Sequence, residues 1–269
     1  MSKTVSTIVL VVLGIFLSVS LGSKTSSEDI VLTSENHILF SGKVDGKSVA
    51  EAQIQLGRIS KNLGKNETIY LVLDTPGGSV SDGNLFIDFA KSLPQKIKPI
   101  CLFCASMGYH MFQSFNERLV FGSSTLMSHR ASLGGMGGQV PGELVTRLNA
   151  IITTLGQMDE AVAKRIGTPV EDYRKLIHDE LWLDGKSAVK LKHADRIAKI
   201  TCSTDIVDGF TTRTEEVPGY GLVEMVFSKC PLISGMISYS VEKKNLTEKE
   251  RTELLTQLKK IRSEIRMTF

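Results

Sequence analysis

The chain has 269 residues, of which 42% are hydrophobic and 23% are charged. This composition excludes a globally disordered protein, because the chain has enough apolar surface to bury a sizeable core. The formal net charge of +3 is small and the sequence has no Lys/Arg cluster interleaved with aromatic residues, so it does not predict nucleic-acid binding.

Residues 1–23 are predicted to be a targeting segment. Lys3 precedes an apolar, uncharged run from Ile8 to Gly22, and the polar sequence KTSSED follows. This order is typical of a secretory signal peptide. The run is shorter than the roughly 20 residues that span a bilayer, but adding Thr7 and Ser23 would give an uncleaved membrane anchor. With either alternative we expect an exported protein, periplasmic or extracellular, with membrane attachment in the second case.

Predicted strands and helices alternate from residue 37 to residue 201. The strands are the apolar runs HILFSGKV, TIYLVLD and KPICLFCA, followed by two short runs, RLVFG and TLMSH. Val49, Ala52 and Leu56 recur at helical spacing and predict a first helix, and DGNLFIDFAKSL predicts a second. Between Val145 and Val162, apolar residues at helical spacing form one face of a long helix. This alternation predicts an α/β fold with a mostly parallel sheet flanked by helices, in which ligands bind beyond the carboxyl ends of the strands.

Residues 202–269 form a C-terminal extension. Its first part lacks clear periodicity and is not assigned to any element. The sequence NLTEKERTELLTQLKKIRSEIRM predicts an amphipathic helix, because Thr247 and Glu250 form a capping box and Leu254 and Leu258 lie on one face. This face packs on its own domain or contacts a partner subunit.

The chain has four cysteines, and an oxidising compartment permits disulfides. Cys101 and Cys104 are three residues apart in an apolar strand, which places their side chains on opposite faces. We therefore interpret them as small core residues, not as a redox pair, and the absence of a second close Cys or His pair argues against a metal site. For Cys202 and Cys230, both a bridge and two free thiols are compatible with the sequence.

Ser106, in FCASMGYH, ends an apolar strand directly before a predicted helix. A serine hydroxyl becomes a nucleophile when a base takes its proton and donors stabilise the oxyanion. His129, between a strand and a glycine-rich stretch, is the candidate base; the other four histidines fit less well, and the alternative is a structural histidine. Gly77 and Gly78, in DTPGGSV, allow close backbone approach, so N–H groups there and at Met107 are candidate oxyanion donors; the alternative is an ordinary strand-to-helix turn.

Four blocks in order resemble the proteolytic subunit of Clp proteases (the ClpP type of the ClpP/crotonase superfamily). They read YLVLDTPGGSVSDG, CASMG, LMSHR…LGGMGGQ and GTPVEDYRKLIHDELWLDGKSAVKLKHAD, and the resemblance covers roughly residues 37–201. It implies a superhelical arrangement of βαβ units and a serine peptidase with Ser106 as nucleophile, His129 as general base, and Gly78 and Met107 as oxyanion donors. It implies no metal and no organic cofactor.

The third catalytic residue is the main departure from the family pattern. The family has an Asp, and an ungapped alignment from Gly167 places Glu180 at that position, with Asp179 one residue before it. A Glu can hold an imidazole as an Asp does, but its longer side chain must start further back. We therefore predict Glu180 as the third residue; Asp179 and a degenerate or absent third residue are the alternatives.

The resemblance also implies how a peptide binds and how the protein assembles. The substrate adds as an extended strand along the glycine-rich segment, here Gly134, Gly135, Met136 and Gly137, with main-chain hydrogen bonds supplying affinity. The helix from about Glu143 to Arg165 matches the element through which the family's two rings stack. We therefore expect a ring-like homo-oligomer whose partners are peptides or unfolded proteins.

Together these features predict an ATP-independent serine endopeptidase outside the cytoplasm. The reason for ATP independence is that an exported protein has neither ATP nor the unfoldase of the family's cytosolic members. The alternatives are a weak or inactive peptide-binding scaffold, a membrane-anchored protease like the signal-peptide peptidases that use serine and lysine, and a crotonase-like acyl-CoA enzyme. The predicted organisation is a signal peptide or anchor at 1–23, a peptidase domain at 24–201 and the extension at 202–269.

Overall fold

The computed structural model describes residues 29–134, 138–233, 235–241 and 246–266. The predicted targeting segment, residues 1–23, lies outside these ranges, so both its cleavage and its anchoring stay predictions. Within the described ranges, no helix combines the length and the apolar character needed to cross a bilayer.

Strands and helices alternate along most of the described chain. The strands are β1 (Ile30–Leu32), β2 (His37–Ser41), β3 (Thr68–Thr75), β4 (Lys96–Ala105), β5 (Leu119–Ser128), β6 (Leu181–Asp184), β7 (Arg196–Ile197), β8 (Ile200–Cys202), β9 (Phe210–Val217), β10 (Gly221–Ser228) and β11 (Met236–Val241). The helices are α1 (Gly46–Asn62), α2 (Val80–Ser92), α3 (Met107–Gln113), α4 (Gly142–Ile166), α5 (Val170–Leu176), α6 (Gly185–Lys190), α7 (Thr204–Val207) and α8 (Glu248–Arg266).

The main sheet has the strand order β2-β3-β4-β5-β6, and β7 pairs with β5. Strands β2 to β5 are parallel, whereas β6 joins β5 in the antiparallel direction. The apolar face of α1, with Val49, Ala52 and Leu56, is buried in the core, as its helical spacing predicts. The predicted α/β fold, with a mostly parallel sheet flanked by helices, is therefore confirmed.

Strand β5 is one element, so the prediction of two short strands was wrong. Its pairing with β4 shifts register between the Val120 and Thr125 positions. Across this irregularity the Ser124 hydroxyl donates to the Cys101 carbonyl (2.6 Å) and accepts from the Phe121 N–H (2.8 Å). The side chain of Ser124 thus replaces the missing ladder bonds, and the strand continues to its carboxyl end.

Cys101 and Cys104 lie in the core as predicted, but they are bridged, so the prediction that their side chains point to opposite faces was wrong. Leu73 of β3 pairs with Cys101 while its neighbour Asp74 pairs with Phe103, which leaves Leu102 as an extra residue in β4. Such a bulge interrupts the alternation of faces on which the prediction depended. The two Cα atoms lie 5.8 Å apart, and both cysteines are buried.

The apolar face of α4 is only partly covered in the single chain. Val162 and Ile166, near the end of the helix, are buried in the core. Towards the start of the helix, Val145 is 47% exposed and Ile152 is 57% exposed. The first turns of α4 therefore present apolar side chains to solvent.

The extension forms a small antiparallel sheet, β9-β10-β11, where the sequence showed no clear periodicity. Helix α8 covers one face of this sheet, with Leu254 and Leu258 buried against residues that include Val223 and Met225. The amphipathic face thus packs on its own sheet. The predicted capping box is present, because the Thr247 N–H donates to the Glu250 carboxylate (2.8 Å) and the Glu250 N–H to the Thr247 hydroxyl (3.3 Å).

A second bridge connects the end of β8 to the residues that follow β10. Cys202, at the end of β8, is bonded to Cys230, just after β10, with 5.9 Å between their Cα atoms. Strand β8 pairs in parallel with β1. Of the two alternatives for these cysteines, the structure therefore contains the bridge.

Candidate active site

Ser106 lies at the turn between β4 and α3, in an unusual backbone conformation. Its φ of +54° is rare for a residue with a side chain and is typical of a position whose surroundings enforce strain. The Ser106 N–H donates to the Met127 carbonyl (2.9 Å), and its carbonyl accepts from the N–H groups of Tyr109 (3.0 Å) and His110 (3.2 Å). These bonds fix the turn, and Ser106 remains only partly buried.

His129 directly follows β5, the parallel neighbour of β4. Because Ala105 pairs with Met127, the carboxyl ends of the two strands are adjacent, and Ser106 meets His129 there. The His129 Nε2 lies 2.7 Å from the Ser106 Oγ, which is a good hydrogen-bond distance. When Nδ1 carries the ring proton, Nε2 is the acceptor for the hydroxyl proton, as a general base requires.

Glu180 faces the other side of the His129 ring. Strand β6 pairs with β5 so that Leu181 lies opposite Ser128, which brings Glu180 next to His129. The Glu180 Oε1 lies 3.8 Å from the His129 Nδ1, and Oε2 accepts from the Trp182 indole N–H (3.0 Å). The first distance exceeds a hydrogen bond, although such contacts are often long before substrate binds and tighten in the complex.

Asp179, the other candidate for the third residue, is turned to solvent. Its side chain is 93% exposed, and its carboxylate lies 2.6 Å from the Nδ1 of the neighbouring His178. The structure therefore brings Glu180, and not Asp179, beside His129. The catalytic role of Glu180 stays a prediction.

The glycine turn after β3 packs directly on the Ser106 backbone. A Cβ on Gly77, whose φ is +91°, would lie 2.7 Å from both the Met107 N and the Ser106 Cβ. A Cβ on Gly78, whose φ is +147°, would lie 2.3 Å from the Val44 carbonyl oxygen. Only glycine fits at either position, because a side chain would collide with backbone atoms.

The amides of this turn differ in their availability. The Gly77 N–H donates to the Thr75 hydroxyl (3.0 Å), so it is already used. Met107 is the first residue of α3, where a helix has no acceptor of its own for the N–H. The structure thus places Gly78 and Met107 on the two backbone segments that meet at Ser106, and their role as oxyanion donors stays a prediction.

The predicted peptide-binding segment is described only at its start. Gly134 is exposed and follows His129 by five residues. Gly135, Met136 and Gly137 lie outside the described residues. Strand addition along this segment therefore stays a prediction.

His110, one helical turn after Ser106, has no predicted role. Burial, together with the nearby charge of His129, lowers the pKa of His110 to about 4. His110 is therefore neutral at neutral pH, and the ring in contact with the Ser106 hydroxyl is that of His129. His110 is the fourth residue after Ser106 and lies on the following helix, and this spacing indicates that the two residues are close to each other.

A buried polar network holds α3 in place through Tyr109 and Gln113. This network was not predicted from the sequence. The Tyr109 hydroxyl lies 2.5 Å from the His193 Nδ1, and the Gln113 amide donates to the His193 carbonyl (2.7 Å). The buried Arg118 contacts Gln113 and makes two bonds to the Asp195 carboxylate, at 3.2 and 2.8 Å. Since α3 begins at the residue after Ser106, this network also fixes the turn at Ser106.

Comparison with known proteins gives a family match and matches to curated proteins. A sequence model described as Clp protease matches residues 22–201. A curated protein, the ATP-dependent Clp protease proteolytic subunit 1 of Frankia casuarinae, is 25% identical over 167 residues, which cover 61% of this chain and 78% of that protein. The family match contains Ser106, His129 and Glu180, and it ends before the small sheet of the extension.

Proposed function

Because the chain belongs to the Clp protease family, we propose that it is a serine endopeptidase that uses Ser106, His129 and Glu180 to cleave unfolded proteins and peptides. The observation that carries this proposal is the 2.7 Å contact between the Ser106 Oγ and the His129 Nε2. A nucleophile in hydrogen-bond contact with a base that faces a carboxylate is the arrangement from which acyl transfer proceeds.

The reaction follows from these positions. The Ser106 Oγ attacks the peptide carbonyl carbon while His129 takes the hydroxyl proton. The Gly78 and Met107 amides bind the oxyanion of the tetrahedral intermediate. The C–N bond then breaks, and His129 gives its proton to the leaving amine. Water, activated by His129, hydrolyses the acyl-enzyme and regenerates the serine, while Glu180 holds the imidazole in the correct tautomer throughout.

The N-terminal sequence supports an exported enzyme that works without ATP. Lys3 and the apolar run from Ile8 to Gly22 are typical of a secretory signal or an anchor. The exposed apolar side chains of α4 support a homo-oligomer, since they have no cover in the single chain. Without an unfoldase the enzyme cannot unfold its substrates, so it cleaves only peptides and proteins that are already unfolded.

A specific observation favours one alternative, a catalytically weak or inactive peptide-binding scaffold. The 3.8 Å between the Glu180 Oε1 and the His129 Nδ1 is too long for a hydrogen bond. If this gap persists with a peptide bound, the imidazole lacks its orienting partner. The fold and peptide groove would then remain, with little turnover.

Hydrolysis of fluorescein-labelled casein, an unfolded protein, in the absence of ATP tests the proposed function. We expect release of fluorescent peptides by the wild-type protein and none by Ser106→Ala or His129→Ala. Ser114→Ala, which removes a hydroxyl at the other end of α3, is the matched control and should cleave at the wild-type rate. Equal casein cleavage by wild type and Ser106→Ala would overturn the proposal. Cleavage that survives in His129→Ala would instead indicate the serine–lysine mechanism.

A further inference from the structure

The Glu180 carboxylate occupies an exposed and strained position. Its side chain is 49% exposed, and its backbone φ is +70°. An exposed glutamate has three rotatable side-chain bonds, so solvent alone would let the carboxylate adopt many positions. A second contact is therefore needed if one of its oxygens is to stay directed at His129.

Trp182 supplies that second contact from a fixed element. It lies on β6 opposite Met127 of β5, and the following residue, Leu183, is buried. Glu180 precedes β6 and is outside the paired residues, whereas Trp182 is held by the antiparallel ladder. A group on a rigid strand can thus orient a group on the adjoining turn.

The chemistry of the indole suits this task. Its N–H is a donor with no acceptor capacity, so it binds the ionised carboxylate and cannot take part in proton transfer. The bond of 3.0 Å uses the Glu180 Oε2 and leaves Oε1 on the side of the His129 Nδ1. A glutamate in place of an aspartate has one more side-chain bond to restrain, and the indole restrains it.

We propose that Trp182 is a positioning residue, whose indole N–H holds the Glu180 carboxylate in register with His129. In this role Trp182 acts through Glu180 and not on the reacting atoms. The inference rests on the proposed function, because it assigns Trp182 a part in the activation of Ser106.

Labelling kinetics with a fluorophosphonate–rhodamine probe test the proposal on the full chain. Trp182→Phe keeps an aromatic ring and removes the N–H. We expect the maximal labelling rate to fall by about tenfold, the effect of losing one hydrogen bond to a charged group, while the half-saturating probe concentration stays unchanged. A general structural defect would alter both quantities, or the amount of folded protein.

The matched control is the same change in a Glu180→Ala background. If Trp182 acts through Glu180, Trp182→Phe has no further effect on the labelling rate once the carboxylate is gone. An equal loss in both backgrounds would show a role that is independent of Glu180, which would overturn the inference.

The fluorescence of Trp182 gives a second readout that needs no activity. Trp182 is the only tryptophan of the chain, so the emission comes from this indole alone and reports on its surroundings, which include the Glu180 carboxylate. We expect Glu180→Ala to shift the emission maximum, and Asp179→Ala, which removes the neighbouring exposed carboxylate, to leave it unchanged. Identical spectra for wild type and Glu180→Ala would overturn the inference.

The labelling outcomes separate the inference from the proposed function. If the wild type is labelled at Ser106 and Trp182→Phe is labelled equally fast, the positioning role fails and the peptidase stands. Faster labelling of Trp182→Phe would mean that the indole restrains Glu180 away from His129, which also contradicts the inference. Absence of labelling in the folded wild type would overturn both.

Discussion

At Gly77 the backbone itself decides which residue is allowed. Its φ is +91°, and the site of a Cβ lies 2.6 Å from the Ala105 carbonyl oxygen and 2.7 Å from the Met107 N. The same position fixes the distance between the glycine turn and the start of α3. A side chain here therefore affects both the stability of the fold and the geometry around Ser106.

We predict that Gly77→Ala lowers the free energy of unfolding by about 2 to 3 kcal/mol, because the side chain combines backbone strain with a steric clash. Urea denaturation measures this loss. Gly46→Ala is the matched control, since Gly46 begins α1 with open space around its Cβ position, and we expect a change within about 0.5 kcal/mol. Equal stability of Gly77→Ala and wild type would contradict the described turn.

The candidate site illustrates what residue patterns alone can predict. Ser106 and His129 each follow a strand of a parallel sheet, and the common edge of such strands predicted their proximity. The alignment favoured Glu180 over Asp179, but the sequence could not show that Glu180 lies beside His129, because this depends on the antiparallel register of β6 with β5 and on the positive φ of Glu180. Trp182 had no signal before that register was known.

At the scale of elements, α3 depends on groups that titrate in the acidic range. Burial lowers the pKa of His193 to about 4, with a further contribution from the charge of Arg118. Burial and the nearby His129 lower the pKa of His110 to the same range. Both rings are therefore neutral in the folded protein well below the pH at which they become charged in the unfolded chain.

We predict that this protein loses stability as the pH falls from about 6.5, the ordinary pKa of histidine, towards about 4. In this range the His110 and His193 rings bind protons in the unfolded chain but not in the folded chain, so acid favours unfolding. Urea denaturation at intervals between pH 7 and pH 4.5 measures the effect. His193→Gln should reduce the slope of the free energy of unfolding against pH. A wild-type profile that is flat over this range would contradict the lowered pKa values of His110 and His193.

The bridge between Cys202 and Cys230 connects strand β8 to the residues that follow β10 and contributes to stability. It joins residues 28 positions apart, whereas Cys101 and Cys104 are 3 positions apart. Since the stabilisation by a disulfide grows with the length of the closed loop, we predict that Cys202→Ala with Cys230→Ala costs about 3 to 4 kcal/mol. Denaturation of the double variant measures this. A smaller loss than that of Cys101→Ala with Cys104→Ala would contradict the loop-length argument.

Some elements could be predicted from the sequence and others could not. Helix α1 was predictable because its apolar residues repeat at helical spacing, and it is buried on that face. The pairing of Cys101 with Cys104 was not, because one extra residue, Leu102, changes which side chains share a face. The small sheet of the extension escaped prediction since β9 is exposed along most of its length, which leaves no alternation to detect.

At the scale of the whole molecule, α4 carries a row of exposed apolar side chains. Val145, Leu148 and Ile152 recur along one side of this helix and are 47%, 37% and 57% exposed. Exposed apolar side chains in such a row are typical of protein–protein contacts. The family to which the chain belongs gives the same expectation.

We predict that Ile152→Glu dissociates the homo-oligomer, because it places a charge in an apolar contact. Sedimentation velocity measures the change from a high-mass assembly to smaller species. Thr154→Glu adds the same charge to an exposed position on another side of α4 and should leave the assembly intact. A wild-type protein that sediments as a monomer would contradict the prediction.

The measurement that tests the account most directly is the location of a fluorophosphonate adduct by mass spectrometry. The contact between Ser106 and His129 predicts one adduct per chain, on Ser106, formed at neutral pH and lost in His129→Ala. An adduct on another serine, or none on a folded and assembled wild-type protein, would contradict the activation of Ser106 by His129.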